Sequence, residues 1–180
     1  MIPIIFSTIT GNGYKLAEAA ASVIDDKVGP YNIRYIDNEV IEAFDTFVIT
    51  YWCDKGSADK DVIELINKMK GKKIIILGTL GADINSNHAS YVAKNVETLV
   101  SKDNILIGHF LCRGSIDLVR TAQKLKKREG EEKKLTVDRF INQIHSLNHP
   151  NEYDLSQAAS FMVRMLQKIG VSKRIYATDI

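Results

Sequence analysis

An open α/β sheet of parallel strands, doubly wound with helices on both faces, is the fold this sequence predicts. Three observations lead there. Several strand-like segments are unbroken apolar runs, the pattern of strands covered on both faces. These runs alternate with stretches whose apolar residues recur at helical spacing. The connections are short, so strands and helices belong to one sheet rather than to separate layers.

The elements follow in order. Ile2 to Phe6 is a short, β-branched apolar run and the first strand. From Tyr14 to Asp26, residues Leu16, Ala17, Ala20, Val23 and Ile24 share one helical stripe. Tyr31 to Ile36 alternates like a less buried second strand, and the segment after it is too short for a long crossover helix. Phe47 to Trp52 is the third strand, followed by Val62, Leu65, Ile66 and Met69 at helical spacing. Lys73 to Leu77 is the fourth strand, Val92 to Val100 the next helical stripe, and Ile105 to Cys112 the fifth strand. After Gly114 the pattern turns helical, with amphipathic stretches near Ile116–Lys127 and Leu135–Leu147 around a charged turn at Gly130. Asp154 or Ser156 is positioned to cap a last helix over 154–169, whose apolar residues from Leu155 to Ile169 form one face. The 180 residues fit one domain, 1–180, with 115–150 as a helical elaboration of it.

Composition excludes several classes. Apolar residues make up 45% and charged residues 26%, enough to build a core and too apolar for disorder. A net charge of +2 is too mild for a nucleic-acid binder. The basic run Lys124–Arg128 is followed at once by Glu129, Glu131 and Glu132, which reads as a solvated helix end. No apolar run has the length of a membrane span. Met1 to Phe6 lacks the basic start and small-residue cleavage site of a secretion signal, so a cytoplasmic location is expected. Cys53 and Cys112 are too few for a disulfide framework, and no metal-ligand spacing exists among the cysteines and histidines.

The loop after the first strand, Ser7-Thr8-Ile9-Thr10-Gly11-Asn12-Gly13, carries the strongest functional signal. Its hydroxyls, its glycines and the helix N-terminus that follows make a phosphate cradle, with inward N–H groups and a partial positive charge. A simple helix cap by Thr10 or Asn12 is the structural alternative, but the hydroxyls exceed what one cap needs. The Walker pattern with its Lys-Ser/Thr pair is absent. Gly11-Asn12-Gly13 with Asp37 after the second strand approaches a dinucleotide fingerprint, but the third glycine is missing. The acidic pair of a phospho-receiver domain is also missing.

This loop resembles the flavodoxin phosphate loop, Ser/Thr-x-Thr-Gly-x-Thr. The strand–helix rhythm is similar across the chain. So are Tyr51-Trp-Cys-Asp-Lys-Gly-Ser-Ala-Asp, Leu77-Gly-Thr-Leu-Gly-Ala, Phe110-Leu-Cys-Arg-Gly and His149-Pro-Asn-Glu-Tyr-Asp-Leu. Together they resemble a bacterial branch of small flavodoxin-like proteins. The resemblance implies a five-stranded sheet in the order 2-1-3-4-5 and an FMN cofactor, its phosphate on Ser7, Thr8, Thr10, Gly11, Asn12 and Gly13. Gly13 stands where flavodoxins normally carry a final Thr, so only its backbone N–H remains there. Flavodoxins are also typically acidic, whereas this chain is slightly basic.

Ligands of open α/β sheets sit at the carboxyl ends of the strands where strand order reverses, so the loops after strands one, three and four should converge. Trp52, the only tryptophan, directly follows the third strand and is expected to stack on the flavin ring. Strand alternation turns one of Tyr51 and Trp52 inward, and burial of Trp52 as core is the alternative. Cys53, Asp54 and Gly56 follow in the same ring-flanking loop. Gly56 allows a backbone rearrangement beside the flavin N5, Asp54 disfavours an anionic reduced flavin, and Lys55 opposes Asp54. Cys53 is expected to be a passive thiol and Cys112 a small buried apolar residue. Thr79, Leu80 and Gly81 form the other ring-flanking loop, without an aromatic side chain, so that Leu80 alone covers that face or leaves it open. His88 is placed at the start of the next helix.

Three functions remain on this reading. The leading one is an FMN-binding electron-transfer protein between a donor reductase and an acceptor redox enzyme, with no catalytic acid or base required. The second is an FMN-dependent reductase of a small conjugated molecule such as a quinone. The third is a flavin-free binding module on the same fold, and fold alone does not separate them.

Overall fold

The computed structural model describes residues 1–117, 119, 121 and 137–171. Its strands are β1 (Ile2–Phe6), β2 (Lys27–Asn32), β3 (Thr46–Asp54), β4 (Ser57–Ala58), β5 (Lys73–Leu80) and β6 (Ile105–Arg113). The helices are α1 (Asn12–Ala21), α2 (Asn38–Ala43), α3 (Lys60–Lys68), α4 (Asn87–Ser101), α5 (Val137–Ser146) and α6 (Glu152–Lys168). The main sheet runs β2-β1-β3-β5-β6 with every pairing parallel, and β4 adds an antiparallel two-residue ribbon to β3. Counting the main strands alone, this is the expected order 2-1-3-4-5.

The apolar runs are buried on both faces because alternate residues serve different helices. Ile4, Val48, Ile75, Leu77 and Ile107 pack with α1 and α6, through Leu16, Ala20, Ala158 and Met162. Ile5, Phe47, Ile49, Tyr51, Ile74 and Ile76 pack with α3 and α4, through Val62, Ile66, Val92 and Val96. Each buried Ile or Leu contributes roughly 1.5–3 kcal/mol relative to exposure, so these two layers fix the frame on which the loops sit.

Several element boundaries differ from the expectation. The second strand spans Lys27–Asn32 rather than Tyr31–Ile36, because the Asn32 side chain accepts from the Arg34 N–H and opens a 3-10 turn over Ile33–Tyr35. Pro30 is tolerated inside that strand because it lies at the sheet edge. The first helix is shorter than expected and ends at Ala21. A short α2 occupies the crossover that the sequence left irregular, and the Asp37 carboxylate caps it by accepting from the Val40 N–H. Asp37 is therefore a helix cap. The last helix is capped by Asn151, not Asp154 or Ser156; Asp154 closes the reciprocal capping box. Within 115–150, α5 is helical as expected. The run Lys124–Arg128, the turn at Gly130 and most of the stretch Ile116–Lys127 lie outside the described residues.

Candidate functional site

The loops after β1, β3, β5 and β6 converge at the carboxyl edge of the sheet. They enclose a cleft with a cavity volume of about 170 Å³. Thr10, Asn12, Trp52, Cys53, Thr79, Leu80 and Gly81 all line it, joined by Ile9, Gly114, Ser115, Ile116, Asp117 and Thr121.

The first wall is the Ser7–Gly13 loop. The Ser7 N–H still belongs to the sheet, donating to the Thr50 carbonyl at 3.0 Å, and the Lys15 N–H donates to Gly11 at 3.0 Å within the first helical turn. Between them the amides of Thr8 to Gly11 find no acceptor among the described residues. Gly11 turns the chain into α1 at φ 86°, and the first turn of α1 has no acidic residue to repel an anion. Gly13 holds α1 against the strands: its carbonyl accepts from the buried Thr50 hydroxyl at 2.8 Å, and its N–H donates to Thr8 Oγ1 at 3.3 Å. A Cβ at Gly13 would lie 2.1 Å from the Ser7 carbonyl oxygen. The missing Thr is thus a steric requirement of this close approach.

The second wall is the end of β3. Alternation buries Tyr51 completely and leaves Trp52 half-buried, on the boundary between the cleft and an adjoining recess that contains Ser7, Thr8, Asp54 and Asp59. The Ser7 hydroxyl does not face the cradle; it donates to the buried Asp59 carboxylate at 2.8 Å. Lys55 and Gly56, at φ 50° and 84°, make the two-residue turn of the β3–β4 hairpin. Gly56 borders a wider recess beyond Cys53 and Leu80, and its carbonyl accepts from the Asn95 side chain on α4 at 2.8 Å. Burial pushes the Cys53 thiol above its ordinary pKa, with Asp54 adding to the rise and a hydrogen bond from the Gly56 backbone opposing it. Cys112 is raised further by burial. Both thiols stay protonated at neutral pH, as expected of passive cysteines.

The third and fourth walls follow β5 and β6. Trp52 pairs in register with Thr79, which places Leu80 at the end of the neighbouring strand. The β6 loop was not anticipated as part of the site. Asn12 Nδ2 donates to the Ser115 carbonyl at 3.0 Å, while Ser115 donates through both N–H and hydroxyl to the His149 carbonyl at 2.7 Å. His149 in turn pairs with Asp154 at 2.6 Å. Arg113 reaches the Ala82 carbonyl and the Asp83 carboxylate, bracing the β5 loop. The signal in the sequence was the cluster Cys-Arg-Gly at the end of the fifth strand together with His149-Pro, whose meeting depends on tertiary structure.

These residues fit FMN. Open amides and the positive end of α1 suit a phosphate, and Trp52, Leu80 and Ile116 offer apolar surface to a planar ring. Gly114 lies so close to the loop that a Cβ there would come within 2.8 Å of Asn12 Nδ2 and of the Thr79 side chain. Among the described residues no group of three or more His, Cys, Asp or Glu side chains is arranged for a metal, and no helix is long and apolar enough to cross a membrane.

The chain is 28% identical over 176 residues to the flavodoxin-like domain-containing protein BilS of Clostridioides difficile (strain CD3), covering 93% of this chain and 97% of that one. It is 24% identical to the protein of the same name from Clostridium symbiosum (strain WAL-14163), covering 94% and 98%. Among solved structures, oxidised flavodoxin 2 of Bacillus cereus superposes with a TM-score of 0.58 at 15% identity, covering 93% of this chain and 98% of that one. Flavodoxin 1 of the same organism gives 0.57 at 12%, covering 92% and 97%. Residues 3–163 match the flavodoxin domain family, a family that typically binds FMN, and with the sheet order and cleft described above the chain belongs to it.

Proposed function

We propose that this protein binds FMN and carries electrons between a donor reductase and an acceptor redox enzyme. The observation that carries this reading is a cleft in which an open amide–hydroxyl loop at a helix N-terminus meets the Trp52 and Leu80 walls. Bound FMN supplies the one- and two-electron chemistry. The chain's own residues hold the cofactor: the amides of Thr8 to Gly11 and the Thr10 hydroxyl take the phosphate, Trp52 and Leu80 flank the ring, and Asn12 joins the loop to the β6 wall.

A second reading, a flavin-dependent reductase of a conjugated small molecule, is favoured by the wider recess beyond Cys53 and Leu80, with a cavity volume of about 620 Å³. The test is the visible spectrum of the purified protein after incubation with FMN and removal of excess, followed by addition of NAD(P)H. A retained flavin with no NAD(P)H oxidation and a stabilised one-electron-reduced form supports the carrier. Steady NAD(P)H oxidation with a quinone acceptor supports the reductase. A protein that stays colourless overturns both and leaves a binding module on the same fold.

A further inference from the structure

Asp59 is buried, with 2% of its surface exposed. No ion pair to it occurs among the described residues, and the adjacent Lys60 pairs with Glu64 instead. Its three hydrogen bonds connect three separate parts of the site. Oδ1 accepts from the Ser7 hydroxyl at 2.8 Å and from the Val62 N–H at 3.3 Å, capping α3. Oδ2 accepts from the Trp52 N–H at 3.3 Å. That last N–H has a topological origin. β1 ends at Phe6, and the final bond to β3 on that side runs from Ser7 to Thr50. Two residues on, Trp52 turns its N–H to the same side, where no strand continues. The Lys55–Gly56 turn folds the chain back, and Asp59 replaces the missing strand as acceptor.

We propose that Asp59 is a positioning residue that fixes the Trp52 wall to the phosphate loop, holding the two halves of the cleft in register for FMN. This rests on the FMN reading above. A neutral cap such as Ser or Asn would serve α3 equally well, yet the chain buries a carboxylate here. Burial raises the Asp59 pKa, opposed by the Ser7, Trp52 and Val62 bonds and reinforced by Asp61. The charge is therefore held at some expense of stability, and a carboxylate alone offers acceptors to both sides: in either orientation of an asparagine amide, one of the Trp52 and Val62 N–H groups faces a donor.

The variant Asp59→Asn tests this, with Asp59→Ser, which caps α3 but is too short to reach Trp52, as the second. Trp52 is the only tryptophan, so its emission in the ligand-free protein reports the wall directly, whether or not FMN binds. Both variants should stay folded, shift the Trp52 emission, and weaken FMN binding by roughly tenfold, the scale of one hydrogen bond to a charged group. Unshifted emission in the folded variants overturns the proposal, as does native FMN affinity beside a shifted emission. If the native protein itself binds no FMN, the function proposed above fails, while unshifted Trp52 emission still overturns the role of Asp59 separately.

Discussion

At Gly13 a side chain would displace backbone, and this changes how the phosphate loop compares with its family pattern. The Ser7 carbonyl lies 2.1 Å from where a Cβ would stand, and the Thr50 hydroxyl 3.4 Å. Restoring the customary residue through Gly13→Thr therefore should not improve phosphate binding. It should destabilise the fold by about 1–3 kcal/mol or more, the usual cost of overpacking, read as a lower urea midpoint; a variant as stable as the native protein with tighter FMN binding would sink this account. At this scale, Thr8, Thr10 and Gly11 were legible as a candidate cradle because they are neighbours in sequence. Ser7 was legible only as a hydroxyl beside them. Its partner Asp59 is 52 residues away, and no local pattern announces that a hydroxyl will be turned to a buried carboxylate.

Between elements, β3, β6 and α4 are joined by a polar chain that crosses the apolar core. The Tyr51 hydroxyl lies 2.9 Å from His109 Nε2, and His109 Nδ1 lies 3.2 Å from the Glu97 carboxylate. A neutral imidazole satisfies all three groups when Nε2 accepts from Tyr51 and Nδ1–H donates to Glu97. Burial lowers the His109 pKa below its ordinary 6.5, against the opposing pull of Glu97, so the unfolded chain takes up the proton more readily than the folded one. The stability held by a neutral His109 is complete above pH 6.5 and is lost as the pH falls below it. The slope of the urea midpoint against pH between about 7 and 5 should therefore flatten in His109→Gln; an unchanged slope would show that other groups dominate. The apolar runs that became β1, β3 and β5 were legible because burial on both faces leaves no alternation to misread. The edge strand β2 was misplaced by four residues at its start because Gly29 and Pro30 interrupt the pattern and only one neighbour holds it. His109, isolated in the sequence, becomes a partner only through the register that sets it beside Ile76.

For the whole molecule, the open α/β class followed from the alternation of strands and helices, the sheet order from the resemblance to flavodoxins, and the position of the cleft from the crevice that a reversal of strand order leaves at the carboxyl edge. The β6 wall did not, because Ser115, Asn12 and His149 meet from three distant parts of the chain. The surface around this cleft bears on the partner. Near its rim Asp54 stands beside Lys55, Asp61 beside Lys60, and Arg113 is paired with Asp83 at 3.4 Å, while the net charge over the chain is only +2. Mixed signs at this spacing cancel beyond about one Debye length, roughly 8 Å at physiological salt. Long-range steering is then weak, so that docking of the proposed redox partner would be governed by short-range fit, with a rate constant on the order of 10⁵–10⁶ M⁻¹s⁻¹. On the carrier reading proposed above, the second-order rate of electron exchange with a donor reductase should accordingly change by no more than roughly threefold between about 50 and 300 mM salt. A fall of an order of magnitude or more over that range would mean that the partner recognises a charged surface after all, and that the cancellation at the rim does not extend over the docking face.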